Sequence, residues 1–176
     1  MNTIPVLISE EKLYERACQL GEQISKDYKD KNLLLVAILK GSVVFLCDLM
    51  RKITACNCKI DFMCVSSYNN STVSSGNVSI VKDLTIDIEN YDVLIVEDII
   101  DSGITLSKVC RMLRSRNPKS LKVCTLLDKP QKRVVDFTPD YTGFQIDDLF
   151  VVGYGLDYAE KYRNLSYVGF LTEDML

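Results

Sequence analysis

Three carboxylates close an apolar run in VLIVEDIIDSGITL, Val93 to Leu106: Glu97, Asp98 and Asp101 stand directly before Ser102, Gly103, Ile104 and Thr105. Val93 to Val96 reads as a buried strand. Ser102, Gly103 and Thr105 read as a tight turn opening a helix whose first backbone N–H groups have no intrahelical partner. Such a strand-turn-helix corner is an anion site. The acids beside it would repel a phosphate unless a metal ion or the hydroxyl groups of a sugar stood between them. A phosphorylated sugar carried with Mg²⁺ satisfies both halves.

The chain has no histidine, so a general acid or base working near neutral pH must be a carboxylate, Lys, Tyr or Cys. Every Ser-His or Cys-His mechanism is excluded. The seven cysteines are an odd number. Cys47, Cys64, Cys110 and Cys124 sit within apolar runs, where a free thiol behaves as a small hydrophobe, and a reducing cytoplasm is the compartment that fits. Cys56 and Cys58 are the only close pair, and Cys-Asn-Cys without a second pair or a histidine is a poor zinc pattern.

The elements that must position these groups follow from apolar periodicity. Ser9 can cap a helix with Glu10 and Glu11 in its first turn, and Leu13, Ala17, Leu20 and Ile24 recur at helical spacing. Leu33 to Leu39 is an unbroken apolar run, as a strand buried on both faces should read, and Val43 to Ile53 returns as a helix. Strands are expected near Ile60 to Val65, Val78 to Val81, Val93 to Val96 and Leu121 to Leu127, with a helix from about Ile104 to Ser115. This alternation predicts an α/β fold: a mostly parallel sheet, helices on both faces, and ligands beyond the carboxyl ends of the strands.

Four loops begin at such ends: Lys40-Gly41-Ser42, the polar stretch from Ser66 to Asn77, Glu97 to Thr105, and Asp128-Lys129. The tail from Val134, with Pro139, Gly143 and several aromatics, is expected to form a small subdomain near the site. There Phe150 is a candidate stacking platform and Asp157 and Arg163 are candidate polar contacts.

At 176 residues and 47% hydrophobic, the chain suits one domain spanning 1–176 with a sizeable core. Its net charge of −3, with acids and bases interspersed, lacks the basic face that nucleic-acid binding requires. The N-terminal MNTIPVLISEEKL has no basic segment followed by an apolar stretch, and the longest apolar runs are too short to span a bilayer. A soluble cytoplasmic protein with no membrane partner is expected.

These motifs resemble those of the bacterial hypoxanthine and hypoxanthine-guanine phosphoribosyltransferases, from about Leu7 to the end of the chain. VLIVEDIIDSGITL matches the phosphoribosyl-pyrophosphate signature of the wider purine/pyrimidine phosphoribosyltransferase family. Leu39-Lys40-Gly41, Ser67-Tyr68, Asp128-Lys129 and FVVGYGLDY, Phe150 to Tyr158, match its 6-oxopurine branch. The resemblance implies a type I phosphoribosyltransferase fold, with a hood from about residues 1–10 and 130–176 and a mobile lid at about 66–80. It implies purine salvage: transfer of the 5-phosphoribosyl group from phosphoribosyl pyrophosphate to N9 of hypoxanthine or guanine, giving IMP or GMP and pyrophosphate, with Mg²⁺ as cofactor. It also implies a homodimer or homotetramer.

Residue roles carry over position by position. Ser102, Gly103, Ile104, Thr105 and Leu106 would hold the 5′-phosphate, the Ser102 and Thr105 hydroxyls donating to its oxygens. Glu97 and Asp98 would face the ribose hydroxyls and Mg²⁺, with Asp157 a second metal contact that also belongs to the purine-binding set. Asp101 matches the general base toward N7 of the purine. Lys129 would donate to O6, Phe150 would stack on the base, and Val151 would meet it through its backbone. Lys40, Gly41 and Arg163 match pyrophosphate contacts, and the peptide before Lys40 can be cis in the family. Ser67 and Tyr68 match the lid.

Two departures stand out: Ser166 follows Leu165 where a proline is common, and Leu149 precedes Phe150 where relatives often have a charged residue. Leu149 leaves the ranking of hypoxanthine, guanine and xanthine open. One alternative is a non-catalytic nucleotide-sensing, RNA-binding regulator on the same fold, although the clusters Lys129 to Arg133 and Lys108 to Lys122 are modest for that use. A signalling receiver domain is a second rival, from the likeness of Leu94 to Asp98 to its first strand. The 78 residues after Asp98 are too few for the rest of that fold.

Overall fold

A computed structural model describes residues 4–54, 56–67 and 78–175. The chain runs β1 (Val6–Ile8), α1 (Glu10–Asp27), β2 (Asn32–Leu39), α2 (Val43–Met50), β3 (Asn57–Ser67), β4 (Val78–Lys82), β5 (Asp92–Ile100), α3 (Ile104–Arg114), β6 (Ser120–Asp128), β7 (Tyr141–Gln145), β8 (Phe150–Val152) and β9 (Val168–Leu171). Six strands form the main sheet in the order β4-β3-β2-β5-β6-β7. All pairings in it are parallel except β3 with β4 at the edge.

The apolar pattern explains the layering. Leu33, Leu35 and Ala37 of β2 pack with α1 and α2 on one face, while Leu34, Val36 and Ile38 pack with α3 on the other. Every residue from Leu33 to Ile38 is therefore buried, which is why β2 reads as a continuous apolar run. Helix α1 begins as expected: the Ser9 side chain accepts from the Lys12 N–H, Glu10 and Glu11 occupy the first turn, and Leu13, Ala17, Leu20 and Ile24 face the core.

A second, antiparallel sheet of order β1-β9-β8 joins the two ends of the chain. Within the tail, residues 141–145 enter the main sheet as its edge strand β7. Gly143 permits this: a Cβ there would lie 2.3 Å from the Leu126 carbonyl oxygen of β6. Arg16 of α1 then donates to the Thr142 and Gly143 carbonyls, securing the new edge strand.

Two further expectations change. Strand β5 runs through Glu97 and Asp98 to Ile100, because β6 offers parallel partners as far as Asp128, so the acids extend a strand and do not open a loop. Cys47 is exposed, on the outer side of α2, whereas Cys110 and Cys124 are buried. Of the lid at 66–80, Ser67 ends β3 and residues 78–80 belong to β4, while Tyr68 lies outside the described residues. No helix among the described residues is long and apolar enough to cross a membrane.

Asp61 of β3 is a buried carboxylate that periodicity alone does not single out. It accepts from the backbone N–H groups of Phe62, Thr85 and Ile86 and from the Thr85 hydroxyl, tying the chain that follows β4 back onto the sheet. Asp61→Ala leaves these donors without their acceptor and should cost about 1–2 kcal/mol of stability, measured by urea unfolding.

Candidate functional site

A cavity of about 380 Å³ opens at the carboxyl ends of β2 and β5, the position that a parallel sheet assigns to its ligands. It is lined by Lys40 and Gly41 from the β2 end, Glu97, Asp98 and Asp101 from β5 and its exit, and Ser102, Gly103, Thr105 and Leu106 from the turn into α3. Gly103 is the N-cap of α3 and has φ 77°, a left-handed conformation that favours glycine. The Ser102 hydroxyl accepts from the Ile104 N–H at 3.4 Å.

Glu97 and Asp98 form the floor. Glu97 Oε2 is buried and has no hydrogen-bond partner among the described residues, an arrangement expected of an oxygen meant for a ligand's hydroxyl or a cation. Burial raises the Glu97 carboxyl well above its ordinary range, with the Asp98 charge adding to it. Burial also pushes Asp98 up to about 6, although the N–H groups of Ile99 and of Asp98 itself and the Arg163 charge pull it back.

Carboxylates in an unfolded chain titrate near pH 4, so the folded protein holds a proton at Asp98 that the unfolded chain releases. Stability from this carboxyl is present below about pH 4 and is lost as the pH rises through about 6. Between about pH 4 and pH 7 the ligand-free protein should therefore lose on the order of 2 kcal/mol relative to Asp98→Asn. Paired urea titrations of the two proteins measure it; parallel pH profiles would remove the shift.

The pyrophosphate candidates meet around one acid. Lys40 Nζ lies 3.1 Å from both Glu160 carboxylate oxygens, and Arg163 reaches Glu160 at 3.3 Å and Asp157 at 2.8 Å. Arg163 also donates to the Gly155 carbonyl at 2.8 Å. Gly155, at φ 100°, packs so closely on the Lys40 loop that a Cβ would lie 2.1 Å from the Gly41 carbonyl oxygen. The Leu39-Lys40 peptide is cis.

The purine candidates form the other flank. Lys129 is only 6% exposed, and its Nζ sits 3.2 Å from Asp101 Oδ1 and 3.7 Å from Asp148 Oδ1. Phe150 is 44% exposed and makes a T-shaped contact with the Tyr158 ring, centroids 5.4 Å apart. Val151 is buried within β8.

The cavity thus collects Glu97, Asp98, Asp101, Ser102, Gly103, Thr105, Leu106, Lys40 and Gly41. Lys129 joins through Asp101. Arg163 and Asp157 join through Glu160, whose N–H donates to Asp157 Oδ2. Ile104, Phe150 and Val151 do not line the cavity. No three His, Cys, Asp or Glu residues among the described ones converge into a metal cage, so Glu97, Asp98 and Asp157 are not a preformed three-ligand set. Residue-by-residue reading missed Glu160, Asp148 and Arg133. Only the spacing of Glu160 and Arg163, three residues apart, carries a local signal.

A model of the phosphoribosyl transferase domain matches residues 9–159. The chain is 56% identical over 170 residues to a hypoxanthine phosphoribosyltransferase of Buchnera aphidicola, covering 96% of each. It is 52% identical over 166 residues to a hypoxanthine-guanine phosphoribosyltransferase of Bacillus subtilis, covering 94% of this chain and 92% of that one. A crystal structure of a hypoxanthine phosphoribosyltransferase from Staphylococcus aureus superposes with a TM-score of 0.93 at 48% identity, covering 99% of this chain and 97% of the other.

Proposed function

The chain belongs to the phosphoribosyltransferase family and is an enzyme of the type I fold, and from that premise we propose that it salvages 6-oxopurines. It moves the 5-phosphoribosyl group of phosphoribosyl pyrophosphate to N9 of hypoxanthine, and of guanine, forming IMP or GMP and pyrophosphate. The observation that carries the reading is the Lys129–Asp101 contact of 3.2 Å beside the phosphate corner. A donor and a carboxylate side by side are complementary to O6 and a protonated N7, neighbours on one edge of a 6-oxopurine. Adenine presents an amino group where Lys129 needs an acceptor.

In this reading the Ser102 and Thr105 hydroxyls and the start of α3 hold the 5′-phosphate. Lys40 and Arg163 exchange Glu160 for the pyrophosphate and stabilise its negative charge as the bond to the ribose breaks. Phe150 stacks on the base and the Val151 backbone meets its edge. Asp101 takes the N7 proton as the bond to N9 forms.

Mg²⁺ fits the donors present. They are oxygen-only, Glu97 has an unpartnered buried oxygen, and the lack of a cage among the described residues suits an ion that keeps water and substrate oxygens as ligands. Glu97, Asp98 and Asp157 would hold it, directly or through the ribose hydroxyls. When bound it supplies charge neutralisation for the departing pyrophosphate.

Incubation with phosphoribosyl pyrophosphate, Mg²⁺ and each of hypoxanthine, guanine, xanthine and adenine tests the reading. Nucleotide should form with hypoxanthine and guanine and not with adenine. Failure with all three oxopurines overturns the proposal.

A further inference from the structure

Two successive carbonyls of the phosphate turn are gripped from one side. Arg133 Nη1 donates to the main-chain oxygen of Asp101 at 2.5 Å, and the Val134 N–H donates to the main-chain oxygen of Ser102 at 3.1 Å. The peptides that follow Asp101 and Ser102 are trans, and in a planar trans peptide the C=O and N–H point in opposite directions. The N–H groups of Ser102 and Gly103 therefore face away from the 133–134 segment, and both residues line the cavity. Neither N–H has a partner among the described residues. The left-handed conformation of Gly103 lets adjacent N–H groups share one side, the geometry of an anion nest.

Arg133 is no loose surface cation. Its side chain is largely buried and its Nη2 pairs with the still more buried carboxylate of Asp128, at the end of β6 beside Lys129. Its Cδ lies against the turn, where a Cβ on Gly103 would be 2.9 Å away. The backbone continues the connection, since the Lys129 N–H donates to the Ile100 carbonyl at 3.0 Å. One guanidinium thus joins the end of β6, the turn that precedes α3, and the main chain of Asp101.

We infer that Arg133, held by Asp128, is a positioning residue that orients the Asp101–Gly103 peptides, setting both the phosphate nest and the backbone from which the Asp101 carboxylate projects. The inference rests on the transferase reading and deepens it. A lysine cannot replace the fork, because a single ammonium on a flexible stem does not serve a carboxylate and a carbonyl in fixed directions.

Titration calorimetry with ribose 5-phosphate, alongside steady-state kinetics, tests it. Arg133→Ala should bind ribose 5-phosphate about tenfold or more weakly and lose a comparable factor in kcat/KM for phosphoribosyl pyrophosphate. Guanidinium added well below the unfolding transition should recover part of both losses, and sodium chloride at equal concentration should recover neither. Arg133→Lys should remain impaired. Asp128→Asn, which releases the guanidinium from its anchor, should show the same weakening and replaces Arg133→Ala if that variant does not fold. Wild-type affinity in the folded variants, or no ribose 5-phosphate binding by the wild type, overturns the inference. A wild type that binds the sugar phosphate but turns over no oxopurine defeats the transferase reading alone, and the binding comparison still decides the role of Arg133.

Discussion

Asp101→Asn should lower kcat by about 10²–10⁴-fold, the range that a positioned general base supplies, while affinity for phosphoribosyl pyrophosphate stays near that of the wild type. The amide matches the carboxylate in size and still accepts a hydrogen bond from Lys129, but it cannot take up a proton at neutral pH. The Asp101 side chain is about half exposed, so its replacement opens no core cavity and thermal stability should change little. Lys129 keeps Asp148 as a counter-charge at 3.7 Å, and no buried ammonium is left alone. Steady-state kcat with hypoxanthine and calorimetric binding of phosphoribosyl pyrophosphate separate the two effects. Unchanged kcat would move the base elsewhere, and with no histidine in the chain the search would turn to other carboxylates, Tyr and Cys.

Gly41→Ala should reduce kcat/KM for phosphoribosyl pyrophosphate by at least about 10²-fold, although it adds one methyl group. A Cβ at Gly41 would lie 1.6 Å from Asp98 Oδ2, deep inside contact distance, so the carboxylate or the loop must move by more than an ångström. The loop has little freedom on its other side, where Gly155 packs against the Gly41 carbonyl. Displacing Asp98 disturbs the ribose and metal contacts proposed for it, and displacing Lys40 disturbs the pyrophosphate. Thermal unfolding is the control: activity should fall far more steeply than the melting temperature. Wild-type kinetics in a folded Gly41→Ala protein would show that the close approach of these loops is dispensable.

The elements built on local pattern were legible. Ser9, Glu10 and Glu11 start α1, the unbroken run in β2 reports burial on both faces, and Gly103 marks the turn into α3. Element limits were less legible where a partner strand decided them. Strand β5 continues through Glu97 and Asp98 because β6 lies alongside, and residues 141–145 join the main sheet because Gly143 allows the Leu126 carbonyl to approach. Neither fact is visible from the neighbours of those residues in the chain. Cys47 shows the same limit, since an apolar run around a cysteine does not say which side of a helix meets the core.

By itself the sequence determined the chemistry available: no histidine, a strand-turn-helix corner edged with carboxylates and suited to an anion, and motifs resembling those of the 6-oxopurine transferases. Tertiary structure alone decided how those charges are shared. Lys129 stands between Asp101 and Asp148, Lys40 meets Glu160 across 120 residues, and Arg133 leaves the solvent to pair with Asp128 and hold the Asp101 carbonyl. Periodicity and turn chemistry are set by neighbours a few positions apart, so a sequence displays them. The partner of a long cationic side chain depends on which loops the sheet order brings to one edge, and that order forms only when the whole core is packed.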